Sequence, residues 1–253
     1  MAQYLFGSGA MFGIPTADAN GNAITNPTPQ QFGVLQDVSI DISFETKTLH
    51  GQGQFPVAVG RGKGKISGKA KAAQVNGTLY NSLFFGQTLT SGIIAAVNDA
   101  VGAVIPSTPF TITPTIPGSG TWSRDLGVRD ANGIPMTRVA SAPITGQYSV
   151  SAGVYTFAAA DTSKLVFINY EYTATSTTAK NLTVKNLLMG YAPTFSLALS
   201  LPFNGKSFYL RLPCVVSSKL SFAAKNDDFS VPEIDLEAFA DTNGDVAYIG
   251  TSE

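Results

Sequence analysis

The chain has 253 residues, a formal net charge of −1, one histidine and one cysteine. That balance argues against a nucleic-acid binder, which carries a basic excess; one cysteine excludes an intrachain disulfide, and one histidine with one cysteine excludes the common zinc sites. Only 13% of residues are charged, against 25 Gly, 14 Pro and 44% hydrophobic residues, which predicts a mainly β, turn-rich protein with surface covered by neighbouring copies.

The N-terminus, Met-Ala-Gln-Tyr-Leu-Phe-Gly, has no basic region followed by an apolar one, so no signal peptide is expected. No apolar run approaches the roughly 20 residues of a membrane helix, and no membrane insertion by this chain is expected. The lone cysteine fits assembly in a reducing compartment. Residues 1–31 are turn-rich, interrupted by Tyr4-Leu5-Phe6 and Met11-Phe12-Gly13-Ile14. They read either as an arm ordered by another surface or as a first strand packed on its own domain.

The central pattern follows. In residues 32–46, Val38, Ile40, Ile42 and Phe44 alternate with Asp37, Ser39, Asp41, Ser43 and Glu45. In residues 61–71, Arg61, Lys63, Lys65, Lys69 and Lys71 alternate with Gly62, Gly64, Ile66, Gly68 and Ala70. A period of two predicts two strands, one acidic and one basic, each with a core face and a charged face. Opposite charges across a ladder contribute from a few tenths to about 1 kcal/mol each. Pairing between these strands or between subunits is therefore favoured over DNA binding, with a plain solvated face as the alternative. The small residues of the basic strand suit the close approach of another backbone, such as the following helix, or else mark a flexible edge. Between the strands, residues 47–60 hold His50, Gly51, Gln54, Phe55 and Pro56 and read as a loop of about 14 residues, longer than a simple hairpin needs.

Residues 76–86 predict the one helix, capped by Asn76 and ended by Gly86, with Leu79/Leu83 and Tyr80/Phe84 one turn apart. Residues 91–105 fit either a helix or a strand. From Pro106 to about Thr137 only short strands are expected, at Thr111–Thr113 and Leu126–Val128. Tyr148 and Val150, Val154–Phe157 and Leu165–Tyr172 then predict a meander. Phe195, Leu197, Leu199 and Leu201 form an apolar row, Asn204-Gly205 a hairpin turn, and Phe208, Leu210 and Leu212 the facing row. Val215–Phe222 and Phe229–Ala240 complete the strands. The expected organisation is a β domain built from 1–105 and 177–253, with a β-rich elaboration over 106–176 on the outer surface.

Motifs with chemistry are weak. His50 lacks an acidic partner in its loop, and Cys214 sits in a strand-like context as a small hydrophobe. Asp241, Asn243 and Asp245 resemble the start of a calcium loop, but the sixth position is Val246 where Gly is required and the twelfth is Ser252 where Glu is required. Gly60–Lys65 misses the phosphate-loop spacing, because Val59 stands where the first Gly belongs and Ile66 follows Lys65. No catalytic residue, cofactor or metal is expected, and the chain reads as a non-enzyme.

The residues that carry a family resemblance are Phe32–Glu45, Lys47, Leu49, Gly51, Gln54–Val57 and Gly62–Lys71, followed by the helix-like Asn76–Gly86. A second patch comprises Gly146–Val150, Gly153–Phe157, Ala160, Asp161 and Tyr170–Tyr172. Together these resemble the tail tube (major tail) proteins of long-tailed bacteriophages over about half of the chain. The resemblance implies a β-sandwich-like domain with one flanking helix. Six copies would close a ring with a continuous inner β-barrel, and stacked rings would form a tube that carries DNA at infection. It implies a virion tail protein assembled in the host bacterial cytoplasm, whose partners are its own copies, other tail proteins and, in passage, genomic DNA. Asp37, Asp41 and Glu45 are then expected on a lumen or inter-subunit face, with Arg61, Lys63, Lys65, Lys69 and Lys71 on an inter-subunit face. His50, Gly51, Gln54, Phe55 and Pro56 are expected in an inter-ring loop. The alternatives are a capsid decoration protein and a carbohydrate-binding β module at a tail tip.

Overall fold

The computed structural model describes residues 4–74 and 76–252. It is mainly β, with 51% strand, one helix and no closed sheet. The principal strands are β1 (Ala10–Ala17), β2 (Leu35–His50) and β3 (Pro56–Ala72), followed by helix α1 (Gly77–Tyr80). Next come β4 (Ile93–Val97), β5 (Thr121–Asp130), β6 (Gln147–Ser151), β7 (Val154–Phe157) and β8 (Leu165–Ala174). The last four are β9 (Thr194–Phe203), β10 (Lys206–Ser221), β11 (Glu233–Phe239) and β12 (Tyr248–Thr251). The chain divides into two compact units, one of Met1–Leu89 with Leu182–Glu253 and one of Thr90–Asn181. The inserted unit thus begins before the expected residue 106 and ends after residue 176.

The first unit is built on one antiparallel eight-stranded sheet, in the order of a two-residue strand at Gln30–Gln31, then β1, β9, β10, β11, β3 and β2, with β12 also on β10. All eight strands are linked in one hydrogen-bonded network because β10 is sixteen residues long: its first half pairs with β9 and β12, its second with β11. The separate strand expected from Val215 is therefore the continuation of β10. Pro213 is accommodated where Pro213 and Cys214 stand against Ser196, a bulge that needs no proline N–H. Asn204 and Gly205 both have positive φ, 48° and 75°, as the two-residue hairpin turn requires.

The alternation read from sequence puts Phe195, Leu197, Leu199, Leu210 and Leu212 in the core, and Ile234 and Leu236 of β11 join them. Met11, wholly buried, joins them, so residues 10–17 are a strand of their own sheet rather than part of an arm. Helix α1 packs Leu79 and Tyr80, and the turn that follows it packs Leu83, into the same core. The Asn76 side chain caps it by accepting from the N–H groups of Thr78 and Leu79 at 3.0 and 3.2 Å. A π-turn over Asn81–Phe85 extends it to Gly86, which ends it in the left-handed region at φ 55°.

In the inserted unit β8 is central, paired with β4, with β5 and with Ala103–Val104. A second sheet joins Thr137–Arg138, β6, β7 and Thr111–Ile112. The expected meander is not formed: β7 and β8 lie in different sheets. The 3₁₀ turn Ala159–Asp161 separates them, and the buried Asp161 carboxylate accepts from the Gly146 N–H at 2.8 Å and from Lys164 Nζ at 2.7 Å. The core of this unit holds Tyr148, Tyr155, Phe157, Val166, Ile168 and Tyr170.

Candidate assembly surface

β2 and β3 pair along their full length, and β3 pairs on its other side with β11 only from Ile66 to Lys71. Asp37 stands opposite Lys71, Ser39 opposite Lys69, Asp41 opposite Ser67 and Ser43 opposite Lys65. Of the expected acid–base matches between these strands, one is an ion pair, Lys71 to Asp37 at 3.6 Å. The other lysines turn to β11, with Lys65 to Glu237 at 3.0 Å and Lys69 to Glu233 at 3.8 Å. Lys219 of β10 lies 3.8 Å from Glu233 and 4.0 Å from Asp235. The acidic strand Glu233-Ile-Asp-Leu-Glu237 was missed in the sequence although it alternates as plainly as the other two. Its charge sits in a run read only as a terminal strand. The face therefore carries stripes of alternating sign, with Asp37, Asp41, Glu45, Glu233, Asp235 and Glu237 set against Lys63, Lys65, Lys69, Lys71 and Lys219.

Arg61 does not belong to that face. Between the pairs Phe44–Gly64 and Thr46–Arg61 the register shifts, so that Gly62 and Lys63 both stand against Glu45. This bulge reverses the alternation. The Arg61 guanidinium consequently lies 4.4 Å from the centroid of the Phe44 ring, on the apolar side. A Cβ at Gly62 would stand 3.3 Å from the Glu45 Cβ, which favours glycine at the bulge.

The small residues of β3 make room for side chains of β2 rather than for the helix backbone. A Cβ at Gly68 would meet Ile40 Cδ1 at 2.8 Å, and one at Gly64 would meet Phe44 Cε1 at 3.0 Å. The residues in question face each other directly across the ladder.

Beyond the last β11 contact the two strands continue as a two-stranded ribbon. The expected fourteen-residue loop is mostly strand, because β2 runs to His50 and β3 restarts at Pro56, leaving residues 51–55 as the tip. Thr48 pairs with Val59 and Leu49 with Ala58, so β-branched residues hold the extended form despite the glycines. Pro56, as first residue of its strand, is tolerated there. His50 is exposed at the strand end, and Gly51, Gln54 and Phe55 are exposed at the tip. Ile42, Phe44, Leu49, Phe55, Val57 and Val59 are exposed large hydrophobics, Phe55 at 81%. At the ribbon's base an open groove of about 480 Å³ is lined by Ile42, Phe44, Ile66, Phe239, Ala240 and Val246.

The weaker motifs resolve into local structure. Asp241 Oδ1 accepts the N–H groups of Asn243 and Asp245, both at 2.9 Å, which makes the segment a turn closed on itself. Gly60–Lys65 lies inside β3. Burial raises the Cys214 thiol above its ordinary range. Among the described residues no helix is long and apolar enough to cross a membrane. No family model matches the chain, and no curated protein matches it.

Proposed function

We propose that the chain is a structural, non-enzymatic subunit of a bacteriophage virion that polymerises as stacked six-membered rings into a tail tube through which DNA is ejected. One observation carries this assignment: a ribbon of residues 44–64 that projects past the sheet with apolar side chains on it. A two-stranded ribbon alone is at best marginally stable in water, which supports a second surface that covers its apolar side chains. β2 adds a sixteen-residue sheet edge that pairs with β3 alone, and ring closure is the arrangement that removes such edges. The striped charged face, with carboxylates and lysines nearly in balance, suits a lumen that lets DNA pass without gripping it. In this assignment the fold is the tube-forming one, with the open sheets of six copies joined into one inner barrel.

Negative-stain electron microscopy of the purified, concentrated protein tests the proposal. Sixfold rings or tubes are expected. A strictly monomeric protein that is found bound to capsids in infected cells would overturn it in favour of a decoration role.

A further inference from the structure

Five Asn-Gly pairs occur in the chain, at Asn20, Asn76, Asn132, Asn204 and Asn243. We propose that Asn204 is a site of spontaneous covalent modification, deamidation to aspartate and isoaspartate, while hydrogen bonds hold back the other four. The reaction consumes only water. The Gly205 backbone nitrogen gives up its proton to base and attacks the side-chain carbonyl carbon of Asn204; glycine has no Cβ to hinder that approach. A carbon–nitrogen bond forms, the bond to Nδ2 breaks, and ammonia leaves with a proton taken from water, which closes a five-membered imide. Water then opens the ring at either carbonyl. One opening gives aspartate, the other isoaspartate with the chain routed through the side chain. Either product sets a new carboxylate beside Lys206, and isoaspartate adds a backbone atom to the loop.

Attack turns the bond between the asparagine Cα and its backbone carbonyl carbon, and the glycine N–H moves with it. Three of the pairs sit in one repeated turn, Asp-x-Asn-Gly-x, at 18–22, 130–134 and 241–245. In each turn the glycine N–H donates to the Asp backbone carbonyl, at 3.1, 3.0 and 3.1 Å. The Asp Oδ1 also accepts the N–H groups two and four residues on, at 2.8 to 2.9 Å. An N–H already engaged must release its partner before base removes its proton, which corresponds to about a fivefold lower rate for one bond. Asn76 is fixed differently, since its side-chain oxygen holds the N–H groups of Thr78 and Leu79 as the helix cap. Asn204 and Gly205 are the exposed central residues of a two-residue hairpin loop, at φ 48° and 75°. Such a loop is closed by its flanking residues, here Phe203 and Lys206. Among the described residues the Gly205 N–H has no backbone partner.

The test ages the folded full chain in mildly alkaline buffer and follows amide-to-acid conversion at the five sites by peptide mapping with mass spectrometry. Labelled methyl transfer by an isoaspartate methyltransferase is the probe for the iso product. Asn204 should convert first, about fivefold or more ahead of Asn20, Asn132 and Asn243. In denaturant the five should convert at similar rates. Conversion of any other site level with or ahead of Asn204 in the folded protein would overturn the assignment. The same ranking in denaturant would overturn it too, because neighbouring residues and not the fold would then set the order. Asp241→Ala removes two of the bonds that hold the third turn and should speed conversion at Asn243 while leaving Asn204 unchanged. An unchanged rate at Asn243 would refute the hydrogen bonds as the protecting feature. None of these outcomes depends on ring or tube formation.

Discussion

Single residues decide which way the charged strands face. The flip of Arg61 at the Gly62–Lys63 bulge was not legible in the sequence, because strict alternation looks unbroken from Arg61 to Lys71 and only the partner strand reveals the extra residue. The tyrosines of the inserted unit were legible as strand residues but not as a network. Tyr148 donates to Asp125 Oδ2 at 2.7 Å and Tyr155 donates to Oδ1 at 3.2 Å, and the Asp125 side chain is only 4% exposed. Tyr148→Phe should destabilise this unit by about 1.5–3 kcal/mol, read from denaturant unfolding, since a buried carboxylate loses a donor. Burial, then the hydrogen bond to Asp125, pushes the Tyr148 hydroxyl up; burial leads for Tyr155 as well. Unfolded tyrosine ionises near about pH 10, while these keep their protons to higher pH. Their contribution is complete below that value and declines as pH rises through the folded pKa, by up to about 1.4 kcal/mol per pH unit each. Melting temperature followed above about pH 10 should fall, and less steeply in Tyr148→Phe. An equal slope in both proteins would show that the network does not control it.

At the level of elements, patterns of period two and the capped helix were legible. Lengths were not. Glycines and Pro56 suggested a loop over 47–60 because turn residues dominate the local signal, whereas pairing across the ladder keeps Thr48, Leu49, Ala58 and Val59 extended. The opposite error split β10 at Pro213, where a bulge lets one strand pass. The partner of each strand depends on contacts far apart in sequence, which is why β7 and β8 read as neighbours yet belong to different sheets. Because β3 pairs with β11 only up to Ile66, the ribbon adds nothing to the core ladder. Replacing residues 46–61 by Asn-Gly should leave a folded monomer whose unfolding midpoint stays close to that of the parent, and abolish rings and tubes. Circular dichroism and electron microscopy check the two halves. Normal tubes from the shortened protein would remove the ribbon from assembly.

For the whole molecule, the striped face sets stability and assembly apart. Its pairs Lys65–Glu237 and Lys71–Asp37 are solvent-exposed, worth about 0–1 kcal/mol each, so neither holds the sheet together. Asp37 pairs with Lys71, and Asp41 has no ion pair among the described residues. Asp37→Lys with Asp41→Lys should lower stability by no more than about 1 kcal/mol. The same change places four positive charges on each subunit relative to the parent, repeated around every ring of the proposed assembly. Tube yield or infectivity should fall while thermal unfolding stays nearly constant. Unchanged tubes with unchanged infectivity would return these carboxylates to an ordinary solvated face.

The short ladder that closes the inserted unit, Thr90 with Asn181 and Ser91 with Lys180, brings its entry and exit side by side. A segment whose two ends meet in this way is a cassette: the host domain needs only one junction, whatever is spliced there. Joining Leu89 to Leu182 through a few glycines should leave the first unit folded, with the melting transition of its own core, and loss of that transition would show that the two units fold as one. A protein with such a junction can exchange its insert for another domain without redesigning the sheet that carries it.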